Sequence, residues 1–513
     1  MCVWMLLLPA VMFGQGVGQG SGQSVGQGNG QASGQSAAAA SAATVEIPDT
    51  PAGKIFSAWL ESFNSGDREK ILAFQSAHLP KQADPEKRLN RALGVRSQSG
   101  GFDLKKIESS SANQISGVVK ERNSDNLARF ELTLDAADPS QIDNFGINLI
   151  PPAGAAESKP PERMPVKQLA AEVDSKLTQL TADDRFSGAV LIAKDGKVLW
   201  QKAYGNADRE AKVANTLETR FRLGSMNKMF TSVAIAQLVQ QGKLKYTDTL
   251  AQVMPDYPNQ EVAKKITIDN LLTHTSGLGD FFGQEFDQKR ESLHDLKDYL
   301  PLFSAKPLQF EPGKGWAYSN AGFLVLGLVV EKVSGQNYYD YVKQHIYDVA
   351  GMKSSGSFPV TQKVPNLAIG YTHEEGDGPF KPNTNTLPWR GSSAGGGDST
   401  VGDLLKFDQA LRNNKLVNAE LTRTIITGKV SPPRFPGNAK YAYGFGDKDS
   451  GGDRVVGHNG GAPGMNAQLD IHWNTGYTVV VLANLDPPVA TEWAKYISDR
   501  LPVDGEKAAA QTK

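Results

Sequence analysis

Phe221-Arg222-Leu223-Gly224-Ser225-Met226-Asn227-Lys228-Met229-Phe230 is the stretch that decides how this chain is read. Val233, Ala234, Ile235, Ala236, Leu238 and Val239 follow it, so the run is apolar on nearly every face. That pattern predicts a helix buried in a large domain, starting near Ser225 and stopping before Gly242. Residues three apart on a helix face the same way, so Lys228 can hold its amine beside the Ser225 hydroxyl. Ser225 would sit at the helix N-terminus, where free backbone N–H groups favour developing negative charge. Those are the conditions that turn a serine into a nucleophile. Ser-x-x-Lys alone is also a common solvated helix start, so the chemistry needs partners from elsewhere.

The chain has 513 residues, which implies two domains or more. Its formal net charge of −1 gives no reason to expect nucleic acid or a membrane surface as partner. The single cysteine, Cys2, excludes an intramolecular disulfide and a cysteine metal site. Val3 to Phe13 is too short to span a bilayer and suits the apolar part of a secretory signal, although a basic stretch before it is missing. Gly14 to Gly34 repeats Gly, Gln and Ser, and Ala37 to Ala43 is alanine-rich. Residues 1–44 are therefore expected to be a signal-like segment and a disordered leader on an exported, periplasmic or secreted protein.

Residues 45–150 read as a small α+β domain. Phe56, Trp59, Leu60 and Phe63 recur at helical spacing, and a second helix follows from Arg68 to Ala77. Strands are expected over Gly101–Ile107, Gln114–Lys120, Leu127–Leu134 and Gln141–Leu149. The order resembles the NTF2-like domains, without a diagnostic motif. No catalytic cluster stands out there, His78 reads as a surface residue, and the domain is open to a protein or ligand partner. Residues 151–167 are proline-rich and read as a stiff linker.

The large domain is expected over 168–505, with a disordered tail at 506–513. A helix (Gln168–Leu180) precedes a hairpin whose strands flank Lys194-Asp195-Gly196-Lys197. Near the end, Asn466–Trp473 and Tyr477–Asn484 read as strands and Ala490–Leu501 as a helix. The opening hairpin and closing strands are expected to share one antiparallel sheet. Between them lie Ile266 to Leu278, Pro312-Gly313, Trp316-Ala317-Tyr318-Ser319-Asn320, and the apolar helix Ala321–Val333. Tyr318 and Asn320 fall on the loop entering that helix, where polar groups can be exposed on a rigid support. Val455 to Ala462 carries His458-Asn459-Gly460-Gly461.

Ser-x-x-Lys, Tyr-x-Asn and His-x-Gly stand here in the order found in class C β-lactamases, DD-peptidases and related serine esterases, and about residues 168–505 resemble that family. Leu271–Leu278, Pro312–Asn320 and Ala394–Thr400 also look like it. The resemblance implies an α+β, transpeptidase-like domain: an antiparallel sheet flanked by helices, plus a helical lobe. It implies that Ser225 forms an acyl-enzyme, that Lys228 takes or shares its proton, and that Tyr318 is a second acid/base. Asn320 would orient substrate and Lys228. Gly460 would let its strand approach the substrate, and the N–H groups of Ser225 and Gly461 would form the oxyanion hole.

The third motif departs from the β-lactamase pattern. His458 and Asn459 stand where lysine and threonine are common, which argues against a penicillinase. Two roles for His458 follow: binding a substrate carboxylate when protonated, or hydrogen-bonding Tyr318 when neutral, the second being favoured. His274 reads as structural. His294, His345, His373 and His472 lack metal-ligand spacing, so no metal and no cofactor are called for. The expected function is an exported serine hydrolase acting on a small amide, ester or peptide. The competing readings are a penicillin-binding or cell-wall-fragment sensor that acylates slowly or simply binds, without turnover, and an interaction protein working through residues 45–150. Thr372 to Arg390 is read as shaping the cleft.

Overall fold

Thr50 opens the first helix by accepting the Gly53 N–H on its hydroxyl at 3.0 Å, with Pro51 in the first turn. This helix, α1 (Pro51–Ser65), ends at Gly66 in the left-handed conformation, and Asp67 caps α2 (Arg68–His78). The computed structural model describes residues 45–503 except 80–87, 90–91, 94, 97–98, 124–125, 136–137, 151–160, 374–378, 433–434 and 436–437. The expected leader and tail, and most of the expected linker, lie outside these residues. The chain divides into two compact units between residues 158 and 159.

In the first unit, β1 (Phe102–Ser110), β2 (Gln114–Glu121), β3 (Leu127–Leu134) and β4 (Ile142–Ile150) pair in sequence order, all antiparallel. Phe130, Leu132 and Leu134 alternate inward, as their period of two requires. Phe130 stacks on Phe56 with ring centroids 3.8 Å apart, so sheet and helix share one aromatic core with Trp59 and Phe63. His78 is bonded through its ring to the Ser140 carbonyl.

In the second unit, α3 (Val166–Ala182) begins two residues before the expected linker ends; Pro165 fits the position just before a helix. The hairpin β5 (Gly188–Lys194) and β6 (Lys197–Tyr204) follows. The helix α4 (Asn227–Gln240) starts directly after a 3-10 turn, Gly224–Met226. Ser225 therefore lies on a tight turn ahead of the α-helix, and Gly224 takes φ +53 to make it. Later come α5 (Asn320–Ser334) and α6 (Val401–Arg412). The chain closes with β7 (Lys440–Tyr441), β8 (Gly446–Ser450), β9 (Asp453–Ala462), β10 (Met465–His472), β11 (Tyr477–Ala483) and α7 (Val489–Ser498).

The sheet runs β7-β8-β9-β10-β11-β5-β6. Tyr477 pairs with Lys194 and Ala483 with Gly188, so the closing strands join the opening hairpin as expected. Val190, Ile192, Val479 and Val481 pack with α3 and α7 on one face. Ala189, Leu191, Val480 and Leu482 belong to the larger core that also holds α4 and α5. Both strands are buried on both faces, which explains their unbroken apolar sequences. Every residue of α4 from Asn227 to Leu238 is buried, matching its all-round apolar pattern. The second unit is thus α+β, an antiparallel sheet flanked by helices, as the sequence resemblance implied. Among the described residues no helix is long and apolar enough to cross a membrane.

Candidate active site

The Ser225 turn is held from two sides. Phe221–Arg222 pairs with Asp398–Ser399, the Leu223 N–H donates to the Gly397 carbonyl at 2.7 Å, and Gly396 N–H donates to the Gly224 carbonyl at 3.0 Å. On the other side lies β9. A Cβ added to Gly460 would come 1.8 Å from the Leu223 carbonyl oxygen and 2.9 Å from the Ser225 nitrogen. A Cβ on Gly224 would come 2.8 Å from the Gly461 nitrogen. Only glycine allows this approach, which brings the backbone of Gly461 against the Ser225 turn. Asn466 secures the strand by donating its amide N–H to the Gly460 carbonyl at 2.9 Å.

Lys228 lies one turn into the helical segment and is fully buried. Its Nζ is 3.3 Å from Ser225 Oγ, 2.7 Å from Asn320 Oδ1 and 2.6 Å from the Ala394 carbonyl oxygen. Burial lowers the amine to about 7, opposed by the nearby Asp280 carboxylate. Two of its three tetrahedral directions end on fixed acceptors. The third, carrying a hydrogen or a lone pair, faces the Ser225 hydroxyl. When the amine is neutral, that direction holds its lone pair.

Tyr318 reaches the same centre from the loop before α5. It shares a hydrogen bond with Ser225, and its ring centroid is 4.7 Å from Lys228 Nζ. Burial pushes its phenol above the usual range, so it stands as a neutral O–H donor. His274 fixes this loop. Its carbonyl accepts the Ala317 N–H at 3.1 Å, and its Nδ1 accepts the Ser319 N–H at 3.1 Å. Burial keeps the imidazole neutral, in keeping with a structural role. Ser319 then caps α5 by accepting the Gly322 N–H.

His458 is placed differently from the two roles the sequence suggested. Its Nδ1 meets the Asn459 carbonyl, which can only accept, so Nδ1 carries the hydrogen. Its Nε2 then accepts from the Tyr441 hydroxyl at 3.1 Å. Burial, with help from the charge of Lys228, lowers this imidazole to about 3. His458 is therefore neutral, and its ring partner is Tyr441 rather than Tyr318. Burial raises the Tyr441 phenol far above its usual value, so it remains a donor.

Two neighbours escaped the sequence reading. Asp280 accepts the Asn320 side-chain N–H at 2.8 Å, and Tyr441 holds His458. Asp280 lies two residues beyond the family-like stretch Leu271–Leu278, but an aspartate after glycine reads first as a turn. Tyr441 carries no sequence signal. Among the described residues no cluster of three or more His, Cys, Asp or Glu is arranged to hold a metal ion.

The Beta-lactamase family profile matches residues 173–501. A penicillin-binding protein of Bacillus subtilis (strain 168) is 30% identical over 327 residues, covering 60% of this chain and 70% of that protein. The esterase EstB of Burkholderia gladioli is 36% identical over 217 residues, covering 40% of this chain and 55% of the esterase. Among solved structures, a penicillin-binding protein from Bacillus halodurans superposes with a TM-score of 0.56 at 34% identity, covering 62% of this chain and 96% of that one.

Proposed function

The chain belongs to the beta-lactamase family, and from that membership we propose that this serine hydrolase cleaves an amide or ester through an acyl-enzyme on Ser225. The observation that carries the proposal is the fully buried Lys228, lowered to about 7, with its one uncommitted direction facing the Ser225 hydroxyl. Ser225 Oγ attacks the carbonyl carbon as its proton passes to Lys228 Nζ. The oxygen of the tetrahedral intermediate is held by the Ser225 and Gly461 N–H groups, worth about 3 kcal/mol per donor. As the intermediate collapses, the leaving oxygen or nitrogen takes the proton of the Tyr318 hydroxyl, and the Lys228 ammonium restores that proton. Water then attacks the acyl carbon, giving its proton to the same pair, and Ser225 leaves with a hydrogen.

The neutral His458 supports a substrate without a carboxylate beside the scissile bond, because it offers no positive charge there. Asn320, with its carbonyl on Lys228 and an amide hydrogen on Asp280, is assigned to holding Lys228. Export is part of the proposal and is supported by the apolar Val3–Phe13 stretch; signal cleavage in an expressing cell, read by N-terminal sequencing, tests it. The function is tested by hydrolysis of p-nitrophenyl acetate, D-phenylalanine amide and nitrocefin. Steady turnover of the ester or the amide, lost in Ser225→Ala, is expected. Turnover that survives Ser225→Ala, or no turnover of any substrate, overturns it.

A further inference from the structure

We infer that Asp280 is a positioning residue that fixes which face of the Asn320 amide is presented to Lys228, and so keeps Lys228 able to take the Ser225 proton. The inference rests on the assignment of Lys228 as the base.

The hydrogen bonds leave one arrangement. Asp280 Oδ1 accepts the Phe281 N–H at 2.8 Å. Asp280 Oδ2 accepts the Asn320 side-chain N–H at 2.8 Å and faces the Asn320 backbone N–H at 3.4 Å. Donors approach both oxygens, so Asp280 serves as an acceptor through each of them, the pattern an ionised carboxylate presents. The Asn320 nitrogen must then point at Asp280, and its oxygen is left for Lys228 Nζ at 2.7 Å. With the amide reversed, an NH2 group would face the amine, and a buried donor would lose its acceptor. Asp280 thus acts on Lys228 through Asn320, and through its negative charge as well.

The other titratable groups facing this amine cannot substitute. His274 and His458 are both held neutral by burial, and the Tyr318 phenol is neutral. Tyr441 is neutral too and is turned to His458. Burial also raises the Asp280 carboxyl, so acidification and Asp280→Asn remove the same charge.

Asp280→Asn tests the inference because it preserves shape. An asparagine that still accepts from Phe281 presents its NH2 to the Asn320 amide. Profiles of kcat and KM against pH are measured on p-nitrophenyl acetate for wild type, Asp280→Asn, Asp280→Ala, Asn320→Ala and the Asp280→Ala/Asn320→Ala double variant. Expected is a fall in kcat on the order of tenfold or more in both Asp280 variants with KM nearly unchanged, as for an interaction made in the transition state. The acid limb should move to lower pH, because the amine loses the charge that favours its protonated form. The double variant should be no slower than Asn320→Ala. Losses that multiply, or an acid limb that stays in place in both Asp280 variants, overturn the inference. Fluorophosphonate labelling of wild-type Ser225 separates the two readings: absent labelling removes the acyl-enzyme itself, whereas labelling with an unmoved limb removes only Asp280's role.

Discussion

Gly460→Ala tests how tightly the Ser225 turn and strand β9 are locked together. The new methyl carbon would lie 1.8 Å from the Leu223 carbonyl oxygen and 2.9 Å from the Ser225 nitrogen, and both neighbours are backbone. No side chain can swing away, so strand or turn must retreat by more than ~1 Å to reach an ordinary contact. Overpacking of this kind costs ~1–3 kcal/mol of stability. The chemistry should suffer more. A shift of that size at Gly461 removes one oxyanion donor from alignment, which costs on the order of a hundred- to a thousandfold in kcat. Burst kinetics on p-nitrophenyl acetate read the acylation rate, and thermal unfolding reads the stability. The expected result is a folded protein with a modest fall in Tm and a fall in acylation of at least a hundredfold. Acylation within threefold of wild type would refute the reasoning, because it would mean that the strand's position does not set the geometry at Ser225.

Lys228→Ala and Tyr318→Phe should each lower turnover on the order of a hundredfold, and the double variant should be little slower than the poorer single one, as steady-state kinetics will show. For a neutral ester, kcat/KM should rise with pH through about 7, because only unprotonated Lys228 can accept the proton. An ester bearing a carboxylate should show the same limb, since His458, lowered to about 3, gains no charge in that range. Arg220→Ala removes the partner of buried Asp398, 2.6 Å away, and should cost ~3–5 kcal/mol in chemical unfolding. Asp398 is already raised to about 6 by burial. A folded-state value above the unfolded one favours the fold at low pH, and that benefit is lost as pH rises through it. The Arg220→Ala deficit should therefore grow as pH rises through and above about 6.

The parts of the site legible in the sequence are those set by local geometry. Ser225 and Lys228 come together because one helical turn separates them, and the helix declares itself by apolar residues on all faces. Tyr318 and Asn320 lie on the entry to α5 because Ser319 caps it. The sheet was legible because β5 and β11 are short apolar runs bounded by turns, while β10 alternates Met465, Ala467, Leu469 and Ile471 with polar residues. What tertiary packing decides was not legible. Asp280 meets Asn320 across a separation of 40 residues, and nothing in the sequence aims one at the other. The role of His458 was open for the same reason. Tyr441, 17 residues earlier, occupies Nε2, and no pattern in the chain announces that pairing. The 3-10 turn at Ser225 arises because Gly224 must adopt a left-handed conformation with β9 packed against it.

The most direct test is the intact mass of the protein after reaction with a fluorophosphonate probe, followed by peptide mapping. One adduct is expected, on Ser225, formed faster as pH rises through about 7 and absent in Ser225→Ala. An adduct on another residue, or one that persists in Ser225→Ala, would contradict the assignment of Ser225 as the nucleophile.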